Sequence, residues 1–181
     1  MTYQVIKVSN SCQLIGNILN TTVGTVYTID NLLDRNAQQL TNINDFVFLV
    51  LGGNHADSCI NNLNYNNGLK AFAKINSLPI PMPNKPTHYQ IEIEIIFALP
   101  NTVTKNNFYL YPDLVDIWSI GASTKGEKNQ AVSLISQVNF ENIIKALIDL
   151  GYLNNQNNST LVHFGIMQNQ LSKCTINTIQ I

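Results

Sequence analysis

The sequence predicts an α+β fold: a largely antiparallel β-sheet with one clear amphipathic helix, at about 140–150, and one or two short ones. Three observations carry this reading. Segments rich in β-branched and aromatic residues recur along the chain. One helical stripe stands out, and strands and helices do not alternate as a parallel sheet requires. A length of 181 residues fits a single domain spanning 1–181. Such a chain buries about two thirds of its unfolded surface and needs no metal or disulfide staple to fold.

Residues 3–8 and 23–29 are β-branched and read as strands. Between them Leu14, Ile15, Ile18 and Leu19 fit either a strand or a helical turn. Asp30 is placed to cap a short helix with Leu33, Ala37 and Leu40 on one face. Phe46 to Leu51 is an unbroken apolar run closed by Gly52 and Gly53, the pattern of a strand buried on both faces. Residues 54–68 read as an Asn-rich loop, and Leu69, Phe72 and Ala73 suggest one or two helical turns. Pro79, Pro81, Pro83 and Pro86 make an extended segment without ladder donors.

From His88 to Leu99 the alternation is clearest: Tyr89, Ile91, Ile93, Ile95 and Phe97 take one face, His88, Gln90, Glu92 and Glu94 the other. Phe108 to Ile120 is aromatic-rich and extended, and Lys125 to Lys128 is an exposed charged loop. Asn139 is placed to cap the main helix, whose stripe is Phe140, Ile143, Ile144, Leu147, Ile148 and Leu150, with Gly151 as its stop. Strands near 160–167 and 174–180 complete the chain.

Charged residues make up 12% of the chain, about half of the usual ~25%, and formal net charge is −1. Neutral polar groups replace them: there are 27 asparagines and a single arginine, Arg35. Steering of nucleic acid or anionic lipid needs a clustered basic surface, which scattered lysines do not make, so nucleic acid is not expected as a partner. The Asn content fits a biased coding composition; it also fits a surface covered by neighbours, since interface cores are poor in charge. No apolar run is long enough for a membrane span. The first residues lack the apolar core of a signal peptide, which places the chain in the cytoplasm or in an assembled particle. Cys12, Cys59 and Cys174 are too widely spaced for a zinc knuckle or redox motif; at most one disulfide and one thiol can form, and buried free thiols are the commoner outcome. No cofactor is expected.

Three groups of residues bear on chemistry. His88, Glu92 and Glu94 lie at alternate positions of one strand face, about 6.5–7 Å apart in succession. Clustered carboxylate oxygens suit a hard cation, and a Glu pair suits acid–base work. The Tyr-x-x-Glu-x-Glu pattern of Tyr89, Glu92 and Glu94 resembles the metal-binding strand of fumarylacetoacetate-hydrolase-like enzymes, which implies Asp116 as a further acidic ligand. A solvent-facing strand side needs the same polar residues.

The second group follows the buried strand: Gly52, Gly53, Asn54, His55, Ala56, Asp57, Ser58, Cys59. Loops at the ends of central strands commonly carry function, and His55 and Cys59 are its base and nucleophile. The Leu-Gly-Gly-Asn-His string is similar to the Gly-Gly-Asp-His of ureohydrolases, with Asn54 in place of a ligating carboxylate. Groups so close in sequence rarely form a triad, and a Gly turn leading into a polar loop accounts for them equally. The third group is aromatic: Tyr65, Tyr109, Tyr111 and Trp118 are the ring platforms a neutral ligand such as a glycan would use. His163, inside an apolar strand, reads as a core histidine.

No catalytic set is assembled in the sequence. The function it favours is a non-enzymatic structural or interaction protein, self-associating or joined to other subunits in a virion, phage tail or extracellular filament. A binding module for glycan or another neutral ligand, and a small metal- or thiol-dependent hydrolase, are the alternatives.

Overall fold

The computed structural model describes residues 2–9, 11–108 and 132–153. The α+β expectation holds: the sheet is mostly antiparallel and the helices are short. Phe46–Leu51 (β3) is its spine, buried along its whole length. Phe46, Phe48 and Val50 face one core, Val47, Leu49 and Leu51 the other. On one side β3 pairs antiparallel with Gly68–Ile75 (β4); on the other it pairs with Tyr3–Val8 (β1) in parallel. Lys85–Thr104 (β6) lies beyond β4, and Val26–Leu33 (β2) and Ile80–Met82 (β5) pair with it. Val132–Ile135 (β7) pairs with β1, so the order among the described residues is β2-β6-β4-β3-β1-β7, with β5 against β6.

Cys12–Leu19 (α1) settles the ambiguity between strand and helix: Ser11 accepts from Leu14 N at 3.2 Å, and Ile15 and Ile18 are buried under the sheet. With Ser58–Asn62 (α3) it covers the core that holds Ile6, Leu49 and Ile93. Gln137–Asp149 (α5) covers the opposite core through Phe140, Ile143, Ile144 and Leu147. Phe140 stacks on Tyr3 at 3.9 Å and meets Phe46 edge-on at 4.9 Å. Gly151, at φ 77°, closes α5 as expected. Its N-cap is Ser136 rather than Asn139, whose backbone N–H donates to the Ser136 Oγ.

Two other readings are corrected. Asp30 caps nothing: it lies inside β2, and Asp34–Ala37 (α2) starts only after Leu33. Leu69, Phe72 and Ala73 are strand residues of β4, not helical turns. In each strand an irregularity in pairing adds a residue, between Ile29 and Leu32 in β2 against β6 and between Leu69 and Ala71 in β4 against β3. Residues three apart then share a core, which mimics helical spacing. Asn31, at φ 57°, sits in the β2 irregularity. At β4 the shift carries Lys70 into the protein, where its ammonium donates to the Leu99 and Pro100 carbonyls at 2.6 and 3.0 Å. A last short helix, Lys105–Phe108 (α4), follows β6. The strands expected near 160–167 and 174–180 and the segment after Phe108 lie outside the described residues.

Candidate functional site

In sheets with parallel strands, ligands gather beyond the carboxyl ends, where the loops diverge. Here β1 and β3 are the parallel pair, and they end together: Val8 faces Leu51, and Gly52 N donates to the Val8 carbonyl at 2.8 Å. Beyond this edge Ser9 leads into α1, and Gly52, Gly53 and His55 lead into α3. The stretch from Tyr65 to Gly68, which enters β4, forms a third side.

Lys7 is the charged group at this edge. Its side chain is partly buried and runs over Gly52, where a Cβ would clash with the Lys7 Cε. Burial holds its ammonium below the usual lysine range. Lys7 has no hydrogen-bond or ion-pair partner among the described residues. The remaining space beside the glycines is filled by Tyr65, whose hydroxyl donates to the Gly52 carbonyl at 2.6 Å. Gly53 takes φ 152°, and a Cβ there would stand 2.7 Å from that hydroxyl. Burial pushes the Tyr65 phenol up, which keeps it a donor.

Asn67 and His55 complete the cluster. Asn67 Nδ2 donates to the Gly53 carbonyl at 3.1 Å, which turns its Oδ1 toward His55 Nε2 at 2.9 Å. With that amide orientation Nε2 must carry the proton in the neutral ring, leaving Nδ1 as a free acceptor. The His55 and Tyr65 rings lie 5.1 Å apart. The site therefore offers one cation, one imidazole acceptor and two rings, held by backbone carbonyls of a glycine pair. It is equipped to bind and orient a polar planar ligand.

The sequence singled out His55 as a base and, in a separate group, Tyr65 as a ring platform; it did not bring the two together, and it missed Lys7 and Asn67. Cys59 is near, but it is bonded to Cys12, with Cα atoms 6.2 Å apart, so it offers no thiol nucleophile in this state. Free thiols were the commoner outcome expected at these positions, but the fold brings the two cysteines together. The group of His88, Glu92 and Glu94 lies elsewhere. Glu94 pairs with Lys74 at 3.1 Å, Glu92 accepts from the Asn76 amide at 3.3 Å, and His88 Nδ1 stands 3.1 Å from the Thr87 hydroxyl. Among the described residues no three His, Cys, Asp or Glu side chains are grouped to hold a metal. Tyr109, Tyr111, Asp116, Trp118 and His163 fall outside the described residues. Lys7 was missed because a lysine in a strand reads as an ordinary exposed position. The one sequence signal near it was the Gly pair closing the apolar run.

The sheet and its helices make a fold similar to that of several solved structures, a DUF55 domain among them. Among solved structures it is similar to a hypothetical protein from Leishmania major, with TM-score 0.59 and 10% identity over 83% of this chain and 97% of that one. It is also similar to human THYN1 in complex with DNA containing 5-methylcytosine, with TM-score 0.56 and 9% identity over 80% of this chain and 96% of that one. The DUF55 domain of human thymocyte nuclear protein 1 matches with TM-score 0.55 and 9% identity, over 80% and 97% of the two chains. No family model matches the sequence, and no curated protein does.

This comparison corrects two expectations. The fold is one that THYN1 brings to DNA, which conflicts with a subunit of a virion, phage tail or filament and with the exclusion of nucleic acid as a partner. The charge argument does not carry that exclusion. Net charge governs long-range steering and phosphate contacts. Recognition of a base by stacking and hydrogen bonds needs little of it. No helix among the described residues is long and apolar enough to cross a membrane.

Proposed function

We propose that this chain is a nucleic-acid reader that holds a single base at the carboxyl end of the β1–β3 pair. The observation that carries the reading is the Lys7 ammonium, without a hydrogen-bond or ion-pair partner among the described residues, on Gly52 of the glycine pair that Tyr65, Asn67 and His55 also meet, in a fold similar to that of THYN1 bound to DNA containing 5-methylcytosine. His55 presents Nδ1 to an exocyclic amino or ring N–H of the base. Tyr65 and the His55 ring supply planar surface for stacking. Lys7 takes a phosphate, and Asn67 fixes the imidazole without touching the ligand.

The chain's charge supports a base reader over a backbone binder. Formal net charge is −1, and of the sheet lysines Lys70 is committed to two carbonyls and Lys74 to Glu94. The test is fluorescence anisotropy with single-stranded and duplex oligonucleotides carrying cytosine or 5-methylcytosine. The reading expects saturable binding that is weakened at least tenfold by His55→Ala and by Lys7→Met. Binding that ignores both substitutions counts against it.

A further inference from the structure

The site has a covalent connection that base reading does not use. Cys12 opens α1, which follows β1, and Cys59 lies in α3, which follows β3; their bridge spans a sequence separation of 47. Among the described residues this is the disulfide, and it joins the two segments that bound the site. Cys59 is exposed and Cys12 only partly buried, so a small thiol can reach the sulfurs. The segment it holds is weak by itself. α3 has five residues, capped by the Asp57 carboxylate accepting from Cys59 N at 2.9 Å, and so short a helix does not persist without tertiary support. The residue after Cys59, Ile60, is the buried one, and it packs on Gly53, where a Cβ would stand 3.0 Å from its Cγ2. Gly53 in turn holds Asn67 and, through it, His55.

We propose that the Cys12–Cys59 bridge is a redox latch on this site: closed, it fixes the Gly53–His55 segment for binding, and open, it releases that segment and weakens binding. The proposal rests on the base-reading function above. A dithiol reductant opens it in two steps. One thiolate attacks the Cys59 sulfur, the S–S bond breaks, and the Cys12 thiolate leaves and takes a proton. The second thiolate of the reductant then attacks the mixed disulfide and releases Cys59, so two electrons pass to the protein and the reductant ends as its own disulfide. A small-molecule disulfide such as oxidised glutathione closes the latch by the reverse exchange.

The experiment uses the full chain carrying Cys174→Ser, so that one cysteine pair remains. It is equilibrated in graded mixtures of reduced and oxidised glutathione, and the bridged fraction is read by alkylation and mass spectrometry. Amide exchange over residues 53–61 is measured without nucleic acid, and affinity for a 5-methylcytosine oligonucleotide is measured in parallel. Reduction is expected to speed exchange at least tenfold there and to weaken binding at least fivefold. Cys12→Ser should do both in any buffer. Exchange that is the same in the bridged and reduced protein overturns the latch, whatever the affinity does. Faster exchange with no binding in either state supports the latch as a conformational device and overturns the base-reading function instead.

Discussion

The side chain of Lys7 occupies the space that a Cβ on Gly52 would need. That contact couples the end of β1 to the end of β3, and it explains why a half-buried ammonium lies at the edge of the sheet rather than in water. Glycine at 52 is thus a requirement of the lysine's position and not of its own turn.

Gly52→Ala tests this directly. The methyl meets the movable stem of Lys7, so the lysine swings aside and the backbone stays; the cost in stability should be under about 1 kcal/mol. Oligonucleotide affinity should fall as far as it does in Lys7→Met. Anisotropy and urea unfolding on the same preparation separate the two effects.

Gly68→Ala should behave in the opposite way. Its Cβ would clash with the carbonyl of Val103, and backbone in the middle of a sheet cannot step aside. A loss of about 1–3 kcal/mol is expected, the range for overpacking a well-filled interior. The readout is the urea midpoint.

The bridge makes its own contribution to stability. Closing a loop across a separation of 47 restricts the unfolded chain, and reduction should lower stability by about 2–4 kcal/mol. Denaturant unfolding with and without dithiothreitol, in the Cys174→Ser background, measures it.

Lys7 also predicts an alkaline trend. Burial puts its folded pKa below 10.5, the ordinary value it regains on unfolding. Between the two values the unfolded chain binds more protons than the folded one, so stability rises with pH through that window. Lys7→Met lacks this rise. The stability difference, wild type minus variant, should therefore grow from pH 8 toward pH 10. A difference that stays level or shrinks would show that the ammonium is as well solvated folded as unfolded.

Phe140 is the chief anchor of α5, stacked on Tyr3 and edge-on to Phe46. Phe140→Ala should cost about 3–5 kcal/mol, as for other large aromatic truncations. The loss should appear in thermal unfolding with little change in oligonucleotide affinity, since α5 covers the core on the other side of the sheet from α3.

Where residue pattern and geometry share one period, the sequence was readable. The run from Phe46 to Leu51 announced the central strand, and Phe140 to Gly151 announced α5 and its end. Leu69 and Phe72 share a core three residues apart because β4 slips, and no local pattern separates that from a helix. Leu33, Ala37 and Leu40 have helical spacing too, but β2 runs through Leu33 and the helix starts only after it. The parallel pairing of β1 with β3 was hidden too, because register between distant strands leaves no mark in either. The site shared that fate. His55 and Tyr65 were visible as types, but Lys7 joins them only through the β1–β3 pairing, and Asn67 is one asparagine among 27. Low charge describes the field around a protein and leaves no mark of the chemistry of one side-chain cluster.

The most direct test of base reading by Lys7 and His55 is a salt titration of binding to a 5-methylcytosine oligonucleotide, run on wild type and Lys7→Met. Each phosphate contact contributes a slope of about −0.7 to −0.9 to log affinity against log salt. The account predicts saturable wild-type binding with a slope of about −1, and weaker binding with a slope near zero in Lys7→Met. No saturable binding at low salt, or a steep slope that Lys7→Met leaves unchanged, would contradict it.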